Sequence, residues 1–343
     1  MLKIKLISLL LPIKFAVFIS NPYPIRDKLI KNQTVPIPIK DIAAESHRNK
    51  GKPYGTNLII SPGDLLISEV LFNPRTGGVD FVEIYNNSNH EIDLKELQLA
   101  NVNTAGAIAN VKNVSPKQLM IAPGSYWVIT TNQNNIKQNY QVKFPTHFVQ
   151  ISSLPAFNNN KGSVILQSNG LVLDRLDYDA KVHHPLIREE DGISIERVSF
   201  TVATNEPGNF KSAAATAGFA TPTYENSQSA IAGGNDVHLL SKTFSPDGDN
   251  FEDLLTLSYQ LDQNSSVATV NIYSDKGRLV RKLIKNQTIG TNGILTWDGL
   301  EDSGSVAGIG IYIVLFDIFD LQGNTKRFKN NCVLAGKLNK RII

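Results

Sequence analysis

Short apolar runs, each cut off by a cluster of turn-forming residues, constrain the fold of this chain more than any other feature. The run Asp64-Leu-Leu-Ile-Ser-Glu-Val-Leu-Phe-Asn-Pro74 ends where proline cannot donate to a strand ladder. The loop Arg75-Thr-Gly-Gly78 then permits positive φ and leads into Asp80-Phe-Val-Glu-Ile-Tyr-Asn86. In that second run Val82 and Ile84 share one face, while Phe81, Glu83 and Tyr85 share the other. The pair therefore reads as strand, turn, strand. Ile92-Asp-Leu94 and Leu97-Gln-Leu99 continue the pattern.

The same punctuation recurs at Pro62-Gly63, Pro123-Gly124, Asn158 to Gly162 and Asn169-Gly170. No long segment of helical period interrupts it, so residues 62–225 are expected to form an antiparallel β-sandwich. The Ala-rich stretch Phe210 to Ala217 predicts a short helical turn. Residues 226–236, with Ser, Gly and Asn, read as an inter-domain linker. A second domain is expected over 237–338. It holds strand signals at Leu255–Leu261, Ala268–Tyr273 and Arg278–Ile284, and Ala268, Val270 and Ile272 fall on one face. Ile311-Tyr-Ile-Val-Leu-Phe-Asp-Ile-Phe319 is apolar on both faces, as a central strand requires, and Leu321-Gln-Gly-Asn-Thr325 turns it into a last strand. A length of 343 residues fits two such domains.

The series Ile67-Ser-Glu-Val, Phe81-Val-Glu-Ile-Tyr-Asn, Ile92-Asp-Leu, Ala122-Pro-Gly-Ser-Tyr-Trp-Val-Ile, Lys161-Gly-Ser-Val-Ile-Leu, Leu173-Asp-Arg-Leu-Asp-Tyr, Gly192-Ile-Ser-Ile-Glu-Arg-Val and Gly218-Phe-Ala-Thr-Pro resembles, in this order, a bacterial lamin-tail domain. That resemblance implies an immunoglobulin-like β-sandwich. Trp297-Asp-Gly, Gly304 and Gly310-Ile-Tyr resemble the Ig-like module of flagellar hook-capping proteins. Phe244-Ser-Pro-Asp-Gly-Asp, Ile272-Tyr and Gly277-Arg-Leu-Val, with Trp297-Asp-Gly, are also similar to the C-terminal domain of gliding-motility-associated proteins. In that family the domain is a type IX secretion sorting signal. The family form has Gly where Asn250 stands and Asn where Glu252 stands. The expected fold class is therefore all-β, two Ig-like antiparallel β-sandwiches joined by a short linker.

Residues 1–61 read differently. The first 60 hold ten Lys and Arg against three Asp and Glu, which leaves 24 against 28 for the rest. The folded part is mildly acidic and does not advertise a nucleic-acid surface, although the basic arm itself could bind nucleic acid weakly. A charged start followed by an apolar run to Ser20 resembles a signal peptide, but Lys14 interrupts the run and no Ala-x-Ala site follows. The run is too short and interrupted for a transmembrane helix. The alternative is a remnant of an upstream β-domain, because Lys28-Leu-Ile-Lys-Asn-Gln-Thr34 recurs as Lys282-Leu-Ile-Lys-Asn-Gln-Thr288. Residues 36–61 read as an extended linker.

Candidate chemistry is sparse. Asp247, Asp249, Glu252 and Asp253 offer hard oxygen ligands in one turn, a pattern that suits calcium. The same residues also suit an Asx-rich turn before a strand. His183 and His184 lie near Asp174, Asp177 and Asp179, but adjacent residues on a strand diverge, so both are expected at the surface. Glu69 and Glu83 sit inside apolar strands and are expected on an outer face or bonded to a loop, outside catalysis. No G-x-S-x-G, P-loop, H-E-x-x-H or G-x-G-x-x-G motif occurs. Trp127, Trp297, Gly299 and Tyr312 are expected as structural anchors, and the single cysteine, Cys332, as a small core residue.

These readings converge on a non-catalytic, exported or cell-surface bacterial protein. Its partner would be a protein or a surface polymer, with secretion machinery engaging the second domain. The contact loops would be Arg75–Val79, Asn132–Gln138 and Phe157–Gly162 at a sandwich end. One alternative makes the chain an accessory part of a larger extracellular nuclease or phosphoesterase, a class that lamin-tail domains accompany.

Overall fold

The computed structural model describes residues 60–231 and 233–336. The signal-peptide, upstream-remnant and basic-arm readings lie outside the described residues, as does the first copy of the repeat.

The first sandwich contributes β1 (Leu65–Leu71), β2 (Phe81–Asn86), β3 (Ile92–Asp93), β4 (Leu97–Val102), β5 (Ile108–Asn113), β6 (Met120–Ile121), β7 (Tyr126–Thr130), the helix α1 (Gln133–Asn139), β8 (Phe148–Gln150), β9 (Lys161–Ser168), β10 (Leu171–Asp179), β11 (Ile195–Arg197) and β12 (Phe210–Ser212). A six-stranded sheet runs β12-β11-β1-β2-β7-β8 and faces a four-stranded sheet β10-β9-β4-β5. The second sandwich contributes β13 (Asp236–Leu239), β14 (Thr243–Phe244), β15 (Leu255–Gln260), β16 (Ser266–Ser274), β17 (Leu279–Ile289), β18 (Asn292–Trp297), β19 (Gly310–Phe319) and β20 (Thr325–Leu334). There a three-stranded sheet β13-β15-β18 faces the five-stranded sheet β14-β20-β19-β16-β17. Pairing is antiparallel except for two edge strands, β8 on β7 and β14 on β20.

Alternation explains most of the packing. Val82 and Ile84 enter the inter-sheet core with Leu65, Ile67, Val70, Leu97, Leu99, Val164 and Leu166. Each such side chain is worth about 1.5–3 kcal/mol once buried. Ala268, Val270 and Ile272 are fully buried in the second core. β19 lies between β20 and β16, the central position its two apolar faces require. The Ala-rich stretch is a strand first, β12, and only Ala215–Ala217 forms a 3-10 turn.

β1 departs from simple alternation. Its pairing with β2 shifts register between Ile67 and Glu69, a β-bulge that gives Ser68 no opposite number. Ile67 and Val70 therefore both face the core, and Glu69 and Leu71 face outward. The outward face is itself covered. Leu71, Phe81, Val128, Ile136, Tyr140 and Ala220 form a second, smaller cluster under α1 and the chain that follows Phe219.

The linker segment splits in two. Asn226, Gln228 and Ser229 are buried, while Gly233 to Asp236 are exposed or half-exposed. No described helix is long and apolar enough to cross a membrane.

Candidate functional site

Two of the three expected contact loops meet. Asn132 caps α1 by accepting from the Asn135 N–H at 3.2 Å, and Ile136 anchors the helix in the outer cluster. The helix then presents Asn135, whose Nδ2 donates to the Gly77 carbonyl at 3.1 Å and bridges to the Arg75–Val79 loop. Between them lies a cleft of about 210 Å³ lined by Arg75, Gly77, Asn135, Asn139 and Tyr140. Arg75 lies across Gly192, whose φ of +75° and lack of a side chain leave room for it. Tyr140 donates to the Gly192 carbonyl at 3.0 Å, and burial pushes its phenol up to about 12 despite the opposing pull of Arg75. The third loop joins the same end through Asn159, which donates to Asn73 Oδ1 at 2.7 Å, but it does not line the cleft. The cleft offers amide groups, a guanidinium and a phenol, suited to hydrogen-bonded recognition of a polar surface group.

The acidic turn gathers only in part. Asp247, Asp249 and Asp253 bring carboxylate oxygens within 4.8 Å of one another, and Glu252 is not among them. Asp253 accepts from the Gly248 and Asn250 N–H groups, both at 2.8 Å, and these bonds, Gly248 first, hold it below the usual carboxylate range. Asp249 accepts from Phe251 at 2.9 Å. These are Asx-type turns, and they set the three carboxylates at the mutual spacing that a shared hard cation such as calcium would need.

Trp297 is buried between Phe244 and Tyr312, with ring centroids 5.2 and 5.0 Å away, and donates from Nε1 to the Leu300 carbonyl at 2.8 Å. Gly299 takes φ +77°, and Tyr312 donates to the Gly308 carbonyl at 2.5 Å. Trp127 is only half-buried and stacks on His147 at 4.7 Å. Cys332 is buried, and burial raises its thiol to about 12.

His183 and His184 contradict the surface expectation. Both are buried, the first against the Phe72 ring and Ser212 Oγ, the second with its N–H bonded to the same hydroxyl. They come after β10 and the 3-10 turn Ala180–Val182, of which His183 is the C-cap, so strand divergence does not apply, and Ser212 of β12 bonds to both. Glu69 and Glu83 do lie on the outer face, bonded to a loop, and a third carboxylate, Glu196, joins them. Glu196 lies inside the series Gly192-Ile-Ser-Ile-Glu-Arg-Val198, but nothing local sets it beside Glu69 and Glu83, because cross-strand register decides that.

No curated protein matches the chain. Among solved structures it is similar to FLGD from P. aeruginosa, with 23% identity and a TM-score of 0.22 over 29% of this chain and 67% of that one. It is similar to CopC from Methylosinus trichosporium OB3b, with 18% identity and a TM-score of 0.21 over 30% of this chain and 98% of that one. It is also similar to dimeric latent PorU from Porphyromonas gingivalis, with 13% identity and a TM-score of 0.25 over 84% of this chain but 21% of that one. The family models agree with the two-sandwich architecture: residues 60–180 match the Lamin Tail Domain and residues 241–315 match the FlgD Ig-like domain.

Proposed function

We propose that this chain is a non-catalytic, exported display protein of the bacterial cell surface. In this reading the lamin-tail sandwich contacts a protein or surface polymer through its loop end, and the FlgD-like sandwich serves secretion or attachment. The observation that carries the reading is the Asn135–Gly77 bridge, which holds two loops of the first sandwich on either side of a polar cleft. Loops fixed on a rigid sandwich are the usual place for recognition. Amide, guanidinium and phenol groups there bind by hydrogen bonding and carry no nucleophile–base pair.

The test is protease treatment of intact cells that produce the full chain, beside fractionation of the same cells. Surface display predicts that the chain is degraded by external protease and recovered with the envelope or medium. Full protection together with recovery in the cytosol overturns the proposal. Asn135→Lys, which fills the cleft, is expected to leave display unchanged and to weaken retention of a co-purifying surface component.

A further inference from the structure

Three carboxyl groups stand in a row on the outer face of the six-stranded sheet. Glu196 on β11 is the register partner of Glu69 on β1, and Glu69 is the register partner of Glu83 on β2. Neighbouring strands lie about 4.8 Å apart, so the three side chains are adjacent. All three are fully buried. Lys211, the partner of Glu196 on β12, makes no ion pair with it, and the ion pairs found among the described residues lie elsewhere.

One segment, 219–229, covers the row. Glu69 Oε1 accepts from the Thr221 N–H at 2.9 Å and from the Ser194 hydroxyl. Glu196 Oε1 accepts from Thr221 Oγ1 at 2.7 Å, and its Oε2 accepts from Ser227 Oγ at 2.7 Å and the Gln228 N–H at 3.0 Å. Glu83 Oε2 accepts from the Thr223 N–H at 2.5 Å, and its Oε1 is buried with no partner. Asn226 closes the strap over the bulge, donating to the Ser68 and Arg197 carbonyls at 3.1 and 2.9 Å.

The strap also belongs to the second sandwich. Thr291 donates from its N–H to the Ser227 carbonyl and from its hydroxyl to the Ser229 carbonyl, both at 2.8 Å. Gln228 donates to the Ile289 carbonyl at 3.3 Å and accepts from the Ser265 N–H at 2.7 Å. The strap thus links the carboxyl row to the second sandwich, beside a separate contact in which the Ala215 N–H donates to Thr288 Oγ1 at 2.9 Å.

Three adjacent buried carboxyl groups, with no basic side chain paired to them among the described residues, repel one another when ionised, so full ionisation of the row is costly. Burial first, and then the Glu196 charge, raises Glu69 well above the ordinary range. Burial and then Glu69 do the same to Glu83, and burial raises Glu196. We propose that the Glu196–Glu69–Glu83 row is a proton-operated clasp: neutral, it holds the 219–229 strap, and ionised, it releases the strap and uncouples the two sandwiches.

The other groups facing the row do not reproduce this behaviour. Tyr224 on the strap, Tyr126 on β7 and Tyr140 after α1 are all raised, first by burial, and stay neutral through the same range. Glu225 on the strap is exposed. Lys211, Asp262 and Asp320 line a polar cleft beside Ser265 at the junction. His184, close to Ser265, is lowered first by burial and gains charge on the acid side. Asp80, just before β2, is also raised by burial and shares the sign of the row, so the glutamine variants below separate the two. Groups with raised carboxyl values favour the closed form fully below about pH 4.5, and this preference is lost as pH rises through the values of the folded row.

The test is hydrogen exchange on the full chain from pH 5 to 9.5, paired with small-angle X-ray scattering. After correction for intrinsic base catalysis, the amides of Thr221, Thr223 and Gln228 should lose protection at least tenfold with rising pH. The radius of gyration should grow over the same interval. The variant Glu69→Gln/Glu196→Gln should keep the strap protected to pH 9.5, and Glu83→Gln alone, which keeps more of the native bonds, should move the opening to higher pH. Strap exchange that follows only the intrinsic trend overturns the clasp. So do Gln variants that open at the wild-type pH, or a stoichiometric divalent metal in the purified protein that keeps the row closed.

Discussion

Arg197 and Asp174 meet at 2.8 Å with the guanidinium wholly out of water. Arg197 sits on β11 of one sheet and Asp174 on β10 of the other. The guanidinium also donates from Nε to the Ile67 carbonyl at 2.6 Å, while Asp174 accepts from the Ile67 N–H at 2.8 Å and from the Thr204 hydroxyl. The pair thus binds both sheets and the strand β1 between its partners. Removing one member leaves an unpaired charge in the core. Arg197→Met or Asp174→Leu should each cost about 3–5 kcal/mol in urea unfolding, and the double variant Arg197→Met/Asp174→Leu should cost less than the sum. Strict additivity would sink this account of the pair.

Asp80 precedes β2, and burial raises its carboxyl to about 7 from 3.8. The folded state favours the neutral form, so the associated stability is present below pH 3.8 and lost as pH rises toward 7. The span corresponds to roughly 4 kcal/mol, which partial exposure reduces to about 2. Asp80→Asn should therefore match the wild type near pH 4 and exceed it by about 2 kcal/mol at pH 8. Equal stability of the two at pH 8 would refute this.

His183 behaves in the opposite sense. Burial lowers its ring to about 4 from 6.5, so it is stable as the neutral form and opposes folding once protonated. Stability is lost as pH falls from 6.5 toward 4, by about 2–3 kcal/mol. His183→Gln should flatten that limb when the two proteins are compared by urea unfolding at pH 7 and pH 4.5. The comparison is made as a difference, which cancels the acid-side gain from Asp80 and the glutamates. An unchanged limb would place the acid sensitivity in another residue.

Gly299 and Gly304 both adopt positive φ, +77° and +82°. A Cβ on Gly299 would meet Pro246 Cγ at 2.9 Å, whereas one on Gly304 meets nothing within 4 Å. Backbone strain alone costs about 1 kcal/mol, and a clash adds to it. Gly299→Ala should lower the melting temperature of the second sandwich clearly more than Gly304→Ala, as read by near-UV circular dichroism of Trp297. Equal shifts would show that the proline contact is slack.

Local chemistry settled much of this protein before any contact was known. Alternation in Phe81–Asn86 and Ala268–Ile272, glycines at turns and the Trp297-Asp-Gly299 corner each act within a few residues, so the two β-sandwiches were legible in the chain. The meeting of the Arg75–Val79 loop with Asn135 and the burial of His183 and His184 were not. Nor was the row of Glu196, Glu69 and Glu83. Alternation alone would put Glu69 on the same face as Ile67, and the bulge at Ser68 reverses that. Which face a side chain takes depends on strand register, and whether that face is dry depends on a strap far away in sequence. Both are properties of the assembled sheet, so only the tertiary structure decided them.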